Sequence, residues 1–223
     1  MKKAAIIFDH DGTLVNSIDS VAFCTNMVLR QWDFHELTNE EVLDGFPYPT
    51  AERFLYHTKS DDSAEAKLMA DKFYELMNGI GIEHLKVYPG VREALDVLAG
   101  YGYSMGMVTN NQGLFVRKAA AHLHYAYDLE IILGEENVRA SKPAPDGILQ
   151  ACAGLSARPE NCWYIGDTET DCNAAKAAGL KSGAVTWGVH SEEQLRACGA
   201  DEVFRTPAEM AGFFIRLDAG NKR

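Results

Sequence analysis

The sequence predicts an α/β protein: an open, mostly parallel, Rossmann-like sheet with an all-helical domain inserted after its first strand. Three observations predict it. Ala4-Ala5-Ile6-Ile7-Phe8 is an unbroken apolar run, the pattern of a strand buried on both faces. Between about residues 17 and 85 no segment reads as a strand. After Tyr88-Pro89-Gly90, strands and helices alternate, which implies right-handed crossovers in a parallel sheet. The expected core is therefore 1–15 with 86–223, and the expected helical insertion is 16–85.

The elements follow in order. Asp9 to Thr13 is a polar loop containing Gly12. Ile18, Val21, Ala22, Thr25, Val28, Leu29 and Trp32 share one face at the 3.6 period of a helix. Thr38 with Glu41 is a capping box that starts a second helix, and Gly45-Phe46-Pro47-Tyr48-Pro49 breaks it. A third helix is expected near Ala51–Thr58. A fourth carries Leu68, Met69, Lys72, Phe73, Leu76 and Met77 on one stripe and ends at Gly79 or Gly81. In the core, strands are expected at Ser104–Thr109, Leu129–Leu133, Cys162–Ile165, Ser182–Trp187 and Val203–Phe204. Helices are expected through Val116–Leu123, from Ile148, through Ala174–Ala178, after the box Ser191…Gln194, and after Thr206-Pro207-Ala208-Glu209.

Composition narrows the function. The 223 residues suffice for a core domain with a smaller insertion, and 47% are hydrophobic. A net charge of -11 repels nucleic-acid backbones and anionic membranes, so neither is expected as a partner. A small anionic substrate then needs a local positive site. Cys24, Cys152, Cys162, Cys172 and Cys198 are scattered and form no CxxC pair, which suits reduced thiols in a cytoplasm. The apolar run after Met1-Lys2-Lys3 stops at Asp9, too short for a signal-peptide core, and no run approaches a membrane span.

Ligands bind open α/β sheets at the carboxyl ends of the strands. Asp9 and Asp11 follow the first strand, Thr109-Asn110 ends the second core strand, Lys142 precedes a proline-rich helix start, and Asp167 and Asp171 follow Ile165-Gly166. The acidic groups offer hard oxygen ligands suited to Mg²⁺. A carboxylate can attack phosphorus if cations such as Lys142 and a metal neutralise the transferring group. Asp11 can protonate the leaving oxygen and later activate water. His10 between the two acids is read as a packing or hydrogen-bonding residue rather than a catalytic one. Arg53, just beyond the proline loop, is a candidate ligand for a substrate carboxylate, and that loop is a candidate for facing the site.

Asp9-His10-Asp11-Gly12-Thr13-Leu14-Val15, Thr109-Asn110, Lys142-Pro143 and Gly166-Asp167-Thr168-Glu169-Thr170-Asp171 resemble the four motifs of the haloacid dehalogenase superfamily, in the right order and across essentially the whole chain. That resemblance implies an HAD-like core. It makes Asp9 the nucleophile and Asp11 the general acid/base. Mg²⁺ would be held by Asp9, the Asp11 carbonyl and Asp167. Thr109, Asn110 and Lys142 would hold the phosphoryl oxygens, and Asp171 would orient the metal shell or Lys142. The insertion resembles the helical cap of the phosphoglycolate phosphatase-like branch. The second aspartate, which dehalogenating members lack, points to phosphate esters, and Asn16 departs from the aspartate common after GTLV, at the presumed hinge. The expected activity is hydrolysis of a small phosphorylated metabolite, with phosphoglycolate as the first candidate, through an aspartyl-phosphate. A β-phosphoglucomutase-like mutase, a pyrophosphatase or nucleotidase, and a non-catalytic phosphometabolite-binding protein share the same motifs.

Overall fold

Ala5–Phe8 has no polar side chain to turn toward water, and it forms the fully buried strand β1. A computed structural model describes residues 4–220 except Pro47, Pro49 and Tyr127. Met1–Lys3 and both prolines of the loop that is a candidate for facing the site therefore lie outside the described residues. Ser17–Lys86 forms one compact unit and the remaining described residues form the other.

In the larger unit, β1 is followed by the short strand β2 (Val15–Asn16). The chain returns from the helical unit through β3 (Lys86–Val87) and α5 (Val91–Gly100), after α1–α4 described below. It continues through β4 (Ser104–Val108), α6 (Gly113–Leu123), β5 (Leu129–Leu133), α7 (Asp146–Gly154) and β6 (Cys162–Gly166). Then come α8 (Glu169–Ala178), β7 (Lys181–Val185), α9 (Glu192–Ala197), β8 (Glu202–Phe204) and α10 (Pro207–Gly220). Six strands form one parallel sheet in the order β5-β4-β1-β6-β7-β8. The order reverses at β1, where the crevice for a ligand opens.

Side chains alternate across β1. Ala5 and Ile7 enter a cluster with Ile148, Ala151 and Cys152 of α7 and Ala174 and Ala175 of α8. On α10, Phe213 and Phe214 pack with Trp163 and Phe204, and the Tyr103 hydroxyl donates to the Phe214 carbonyl at 2.7 Å. Ile6, Ile7 and Phe8 are completely buried, and each contributes about 1.5–3 kcal/mol of apolar transfer energy.

Details of this unit differ from the sequence reading. Helix α5 is an addition, although Val91, Ala94, Leu95 and Leu98 are its buried face at helical spacing. β7 begins at Lys181 and ends at Val185, before Trp187, whose indole N–H donates to the Thr13 carbonyl at 2.9 Å. Glu209 reaches past Thr206 to accept from the Arg205 N–H, while Thr206 accepts from the Glu209 N–H.

The helical unit contains α1 (Ile18–Gln31), α2 (Asn39–Asp44), α3 (Thr50–Thr58), α4 (Ser63–Met77) and a 3-10 turn at Ile80–His84. Thr38 and Glu41 form the expected reciprocal cap. The buried stripe of α4 is Ala66, Met69, Ala70, Phe73 and Met77. Leu68 points outward at 60% exposure, because it lies one position round the helix from Met69. Tyr48 stacks on Tyr56 with centroids 5.1 Å apart. No helix among the described residues is long and apolar enough to cross a membrane, and all five cysteines are free thiols.

Candidate active site

The carboxyl ends of β1, β4 and β6, neighbours in the sheet, bring three sequence-distant loops together. Asp9 leaves β1 with its N–H donating to the Ile165 carbonyl of β6, so its position is fixed by the sheet itself. The chain then turns tightly. Leu14 and Val15 N–H groups donate to the His10 carbonyl, and Gly12 takes a φ of +79°. A Cβ on Gly12 would overlap the Asp167 carboxylate, so this glycine is required both by its left-handed backbone and by the approach of β6.

Lys142 is the centre of the cluster. Its Nζ donates to Asp9 Oδ1 at 2.6 Å, to Asp171 Oδ1 at 2.6 Å and to the Tyr164 hydroxyl at 2.9 Å. The Tyr164 hydroxyl in turn donates a hydrogen bond to the Val108 carbonyl at 2.7 Å. The segment before the lysine is tied down by Asn110. The Asn110 amide donates to the Lys142 carbonyl at 2.9 Å and accepts from the Lys142 N–H at 2.8 Å. Asp171 is fixed through its other oxygen, which accepts from the Thr168 N–H and hydroxyl at 3.1 and 2.6 Å. Asp167 accepts from the Thr13 hydroxyl at 3.2 Å and from the Val189 N–H at 2.8 Å.

The second acid, Asp11, is more open: its side chain keeps 31% exposure. Its Oδ2 accepts from the Asn111 amide at 3.2 Å. His10 is fully buried against Phe115 and Tyr125, with ring centroids 6.2 Å from each, and its Nδ1 lies 3.2 Å from Asp11 Oδ2. Thr109 is buried, and its hydroxyl accepts from the Asn111 N–H at 3.1 Å. Arg53 lies in the helical unit, on α3.

Asp9, Asp167 and Asp171 each offer an oxygen within 4.8 Å of the others, and all three are buried. Three carboxylates face one ammonium, so two negative charges lack a partner inside the cluster. The consequence appears in the acidities. Burial, then the Asp171 charge, pushes Asp9 up to about 7 despite Lys142. Burial, then Asp171 and Asp9, pushes Asp167 well above the usual carboxylate range. Burial alone would lower the Lys142 pKa, but Asp171 and Asp9 outweigh it and hold the lysine well above its ordinary value. A small divalent cation fits this donor set: the ligands are all hard oxygens, and two uncompensated charges are what such an ion would neutralise.

The arrangement gives a buried carboxylate held in one orientation, a fixed cation beside it, and a second, more exposed carboxyl two residues on. Sequence reasoning missed Tyr164, Thr168, Asn111 and Thr13 as partners of the acids and the lysine. Thr13 and Thr168 sat inside quoted motifs, whereas Tyr164 looked like one more residue of an apolar strand. Gly12→Ala is expected to destabilise the protein by about 1–3 kcal/mol from the positive φ alone. Displacement of Asp167 adds to this, and should appear in Mg²⁺ titrations as weakened ion binding alongside a lowered urea midpoint.

A model of haloacid dehalogenase-like hydrolases matches residues 6–185. A phosphoglycolate phosphatase of Haemophilus influenzae is 28% identical over 211 residues, spanning 91% of this chain and 94% of that protein. An N-acetylmuramic acid 6-phosphate phosphatase of Pseudomonas aeruginosa is 28% identical over 219 residues, spanning 94% of each. A crystal structure from Haemophilus somnus, named as a predicted phosphoglycolate phosphatase, superposes with a TM-score of 0.85 at 23% identity. It covers 96% of this chain and 98% of its own.

Proposed function

We propose that this chain, which belongs to the haloacid dehalogenase-like hydrolase family, hydrolyses a small phosphomonoester through a covalent phosphoryl-enzyme on Asp9, in the cytoplasm. The observation that carries the reading is Lys142, whose Nζ bridges Asp9 and Asp171 at 2.6 Å each beside Asp167. A nucleophilic carboxylate, a fixed cation and a metal-competent acid cluster are what phosphoryl transfer to an aspartate requires. Phosphoglycolate is the first candidate substrate, supported by the name and 28% identity of the Haemophilus influenzae relative. The Pseudomonas relative, named for a sugar phosphate, marks how far esters differ at this similarity.

Asp9 attacks phosphorus with one carboxylate oxygen, and the ester oxygen leaves with a proton from Asp11. Water then attacks the same phosphorus as Asp11 takes its proton, which frees Asp9 and inorganic phosphate. Lys142 offsets part of the cost that burial puts on ionising Asp9 and aims its carboxylate, with Tyr164 and Asp171 holding the ammonium in place. Thr109 binds phosphoryl oxygens, and Asn110 acts by fixing the lysine segment. Asp9, the Asp11 carbonyl and Asp167 would hold Mg²⁺, with Asp171 set behind them against Lys142. The ion, when bound, supplies neutralisation of the phosphoryl oxygens that one lysine cannot provide. The helical unit 17–86 serves as the substrate-selecting part.

A panel of phosphorylated metabolites assayed for phosphate release with and without Mg²⁺ tests this reading. Isomerised sugar phosphate without free phosphate would instead identify a mutase. Asp11→Asn is expected to lower kcat by about 10²–10⁴ for alkyl esters, the contribution of a placed proton donor. The loss should shrink for p-nitrophenyl phosphate, whose leaving group needs no proton. Equal losses on both esters would remove Asp11 from the acid role.

A further inference from the structure

The geometry points to an oxyanion site inside the helical unit, built on Arg53 and His57, that takes a carboxylate or phosphate. Arg53 is 8% exposed, and among the described residues no carboxylate pairs with it. Its Nε has no hydrogen-bond partner, and its Nη2 reaches the Thr50 hydroxyl at a long 3.4 Å. The guanidinium lies 4.9 Å from the Phe73 ring centroid and 5.7 Å from that of Phe46. Stacking on two phenyl rings favours the cation, but it leaves N–H donors unmet.

A second unpartnered polar group stands beside it. His57 Nε2 is buried without a partner, and the nearby Arg53 charge lowers the His57 pKa further after burial has done so. Gly45 makes room for both. A Cβ there would collide with His57 Nε2 and lie 2.7 Å from Arg53 Cγ. Thr50 and Tyr74 complete the polar surroundings, with their hydroxyls 2.8 Å apart. A buried guanidinium kept without an acid is costly, because desolvation is uncompensated. An arriving oxyanion compensates it, and the planar fork of arginine suits two-point binding of a carboxylate or phosphate.

The anion has two possible sources: a second acidic group of the ester being hydrolysed, or a separate small anion. The first rests on the phosphatase reading above; the second does not. Two arms distinguish them in the full chain. In the kinetic arm, Arg53→Met is compared with the unaltered protein on phosphoglycolate and on ethyl phosphate, which lacks the carboxylate. A KM increase larger for phosphoglycolate by about tenfold or more, the scale of lost charge-assisted bonds, assigns the site to the substrate. In the binding arm, sodium glycolate is titrated by NMR. Arg53-dependent shifts at α3 and α4 without ester discrimination assign it to a separate anion. Arg53→Lys keeps the charge but loses the fork, and it stands in if the methionine variant does not fold. Equal kinetic effects on both esters, together with glycolate shifts that do not depend on Arg53, overturn the inference and leave Arg53 a stacked structural cation. If the unaltered protein releases no phosphate from either ester, these esters are not its substrates and the NMR arm alone decides the anion site.

Discussion

Asp9→Asn is expected to abolish Mg²⁺-dependent phosphate release, by about four orders of magnitude or more, the scale seen when a nucleophile is removed from a group acting as a unit. The fold should survive. Asn fills the same space, the Asp9 N–H bond to Ile165 is unaffected, and Lys142 keeps Asp171 and Tyr164. The variant should also change how stability depends on pH. Asp9 rises from 3.8 to about 7 on folding, chiefly through burial. The folded state therefore prefers the protonated acid, and the metal-free protein loses stability as pH climbs from about 4 through about 7. Asn cannot ionise, so this part of the loss should disappear. Urea unfolding at several pH values in chelator checks it; a stability profile identical to that of the unaltered protein would deny Asp9 its burdened ionisation.

Lys142→Met should be the most destabilising substitution in the cluster. It removes the ammonium that Asp9 and Asp171 share, with all three side chains at 11% exposure or less. Breaking a buried pair from one side costs about 3–5 kcal/mol, because the remaining charges stay buried. The loss should shrink in acid, where the carboxylates take up protons. Urea midpoints at pH 7.5 and pH 5 measure both. A change no larger than the roughly 0–1 kcal/mol of an exposed ion pair would contradict the central place given to this lysine.

The sheet and the helical insertion were legible because their signals are local. The four apolar residues of β1 admit no amphipathic alternative, and capping boxes at Thr38 and Ser191 mark real helix starts. Positions of the acids were legible as well, since strand ends in a parallel sheet bring Asp9 and Asp167 to one edge whatever the register. What spacing does not reveal is who holds the acids. Tyr164 reaches Lys142 from inside an apolar strand, and the same letter there would serve as plain core. Asn110, expected at the phosphoryl group, also spends both ends of its side-chain amide on the Lys142 backbone, across 32 positions of chain. Leu68 was misplaced for a different reason: an apolar residue one step off the stripe of α4 counts toward periodicity without being buried. Arg53 carried a weak signal in sequence, where an exposed arginine is the ordinary outcome. Only its burial without an acid sets it apart.

The most direct test is chemical trapping. Protein quenched during turnover and treated with borohydride should yield homoserine at position 9, because borohydride reduces an acyl phosphate but not a free carboxylate. Phosphate release that proceeds with no homoserine at position 9, or with homoserine at another carboxylate, would contradict the account.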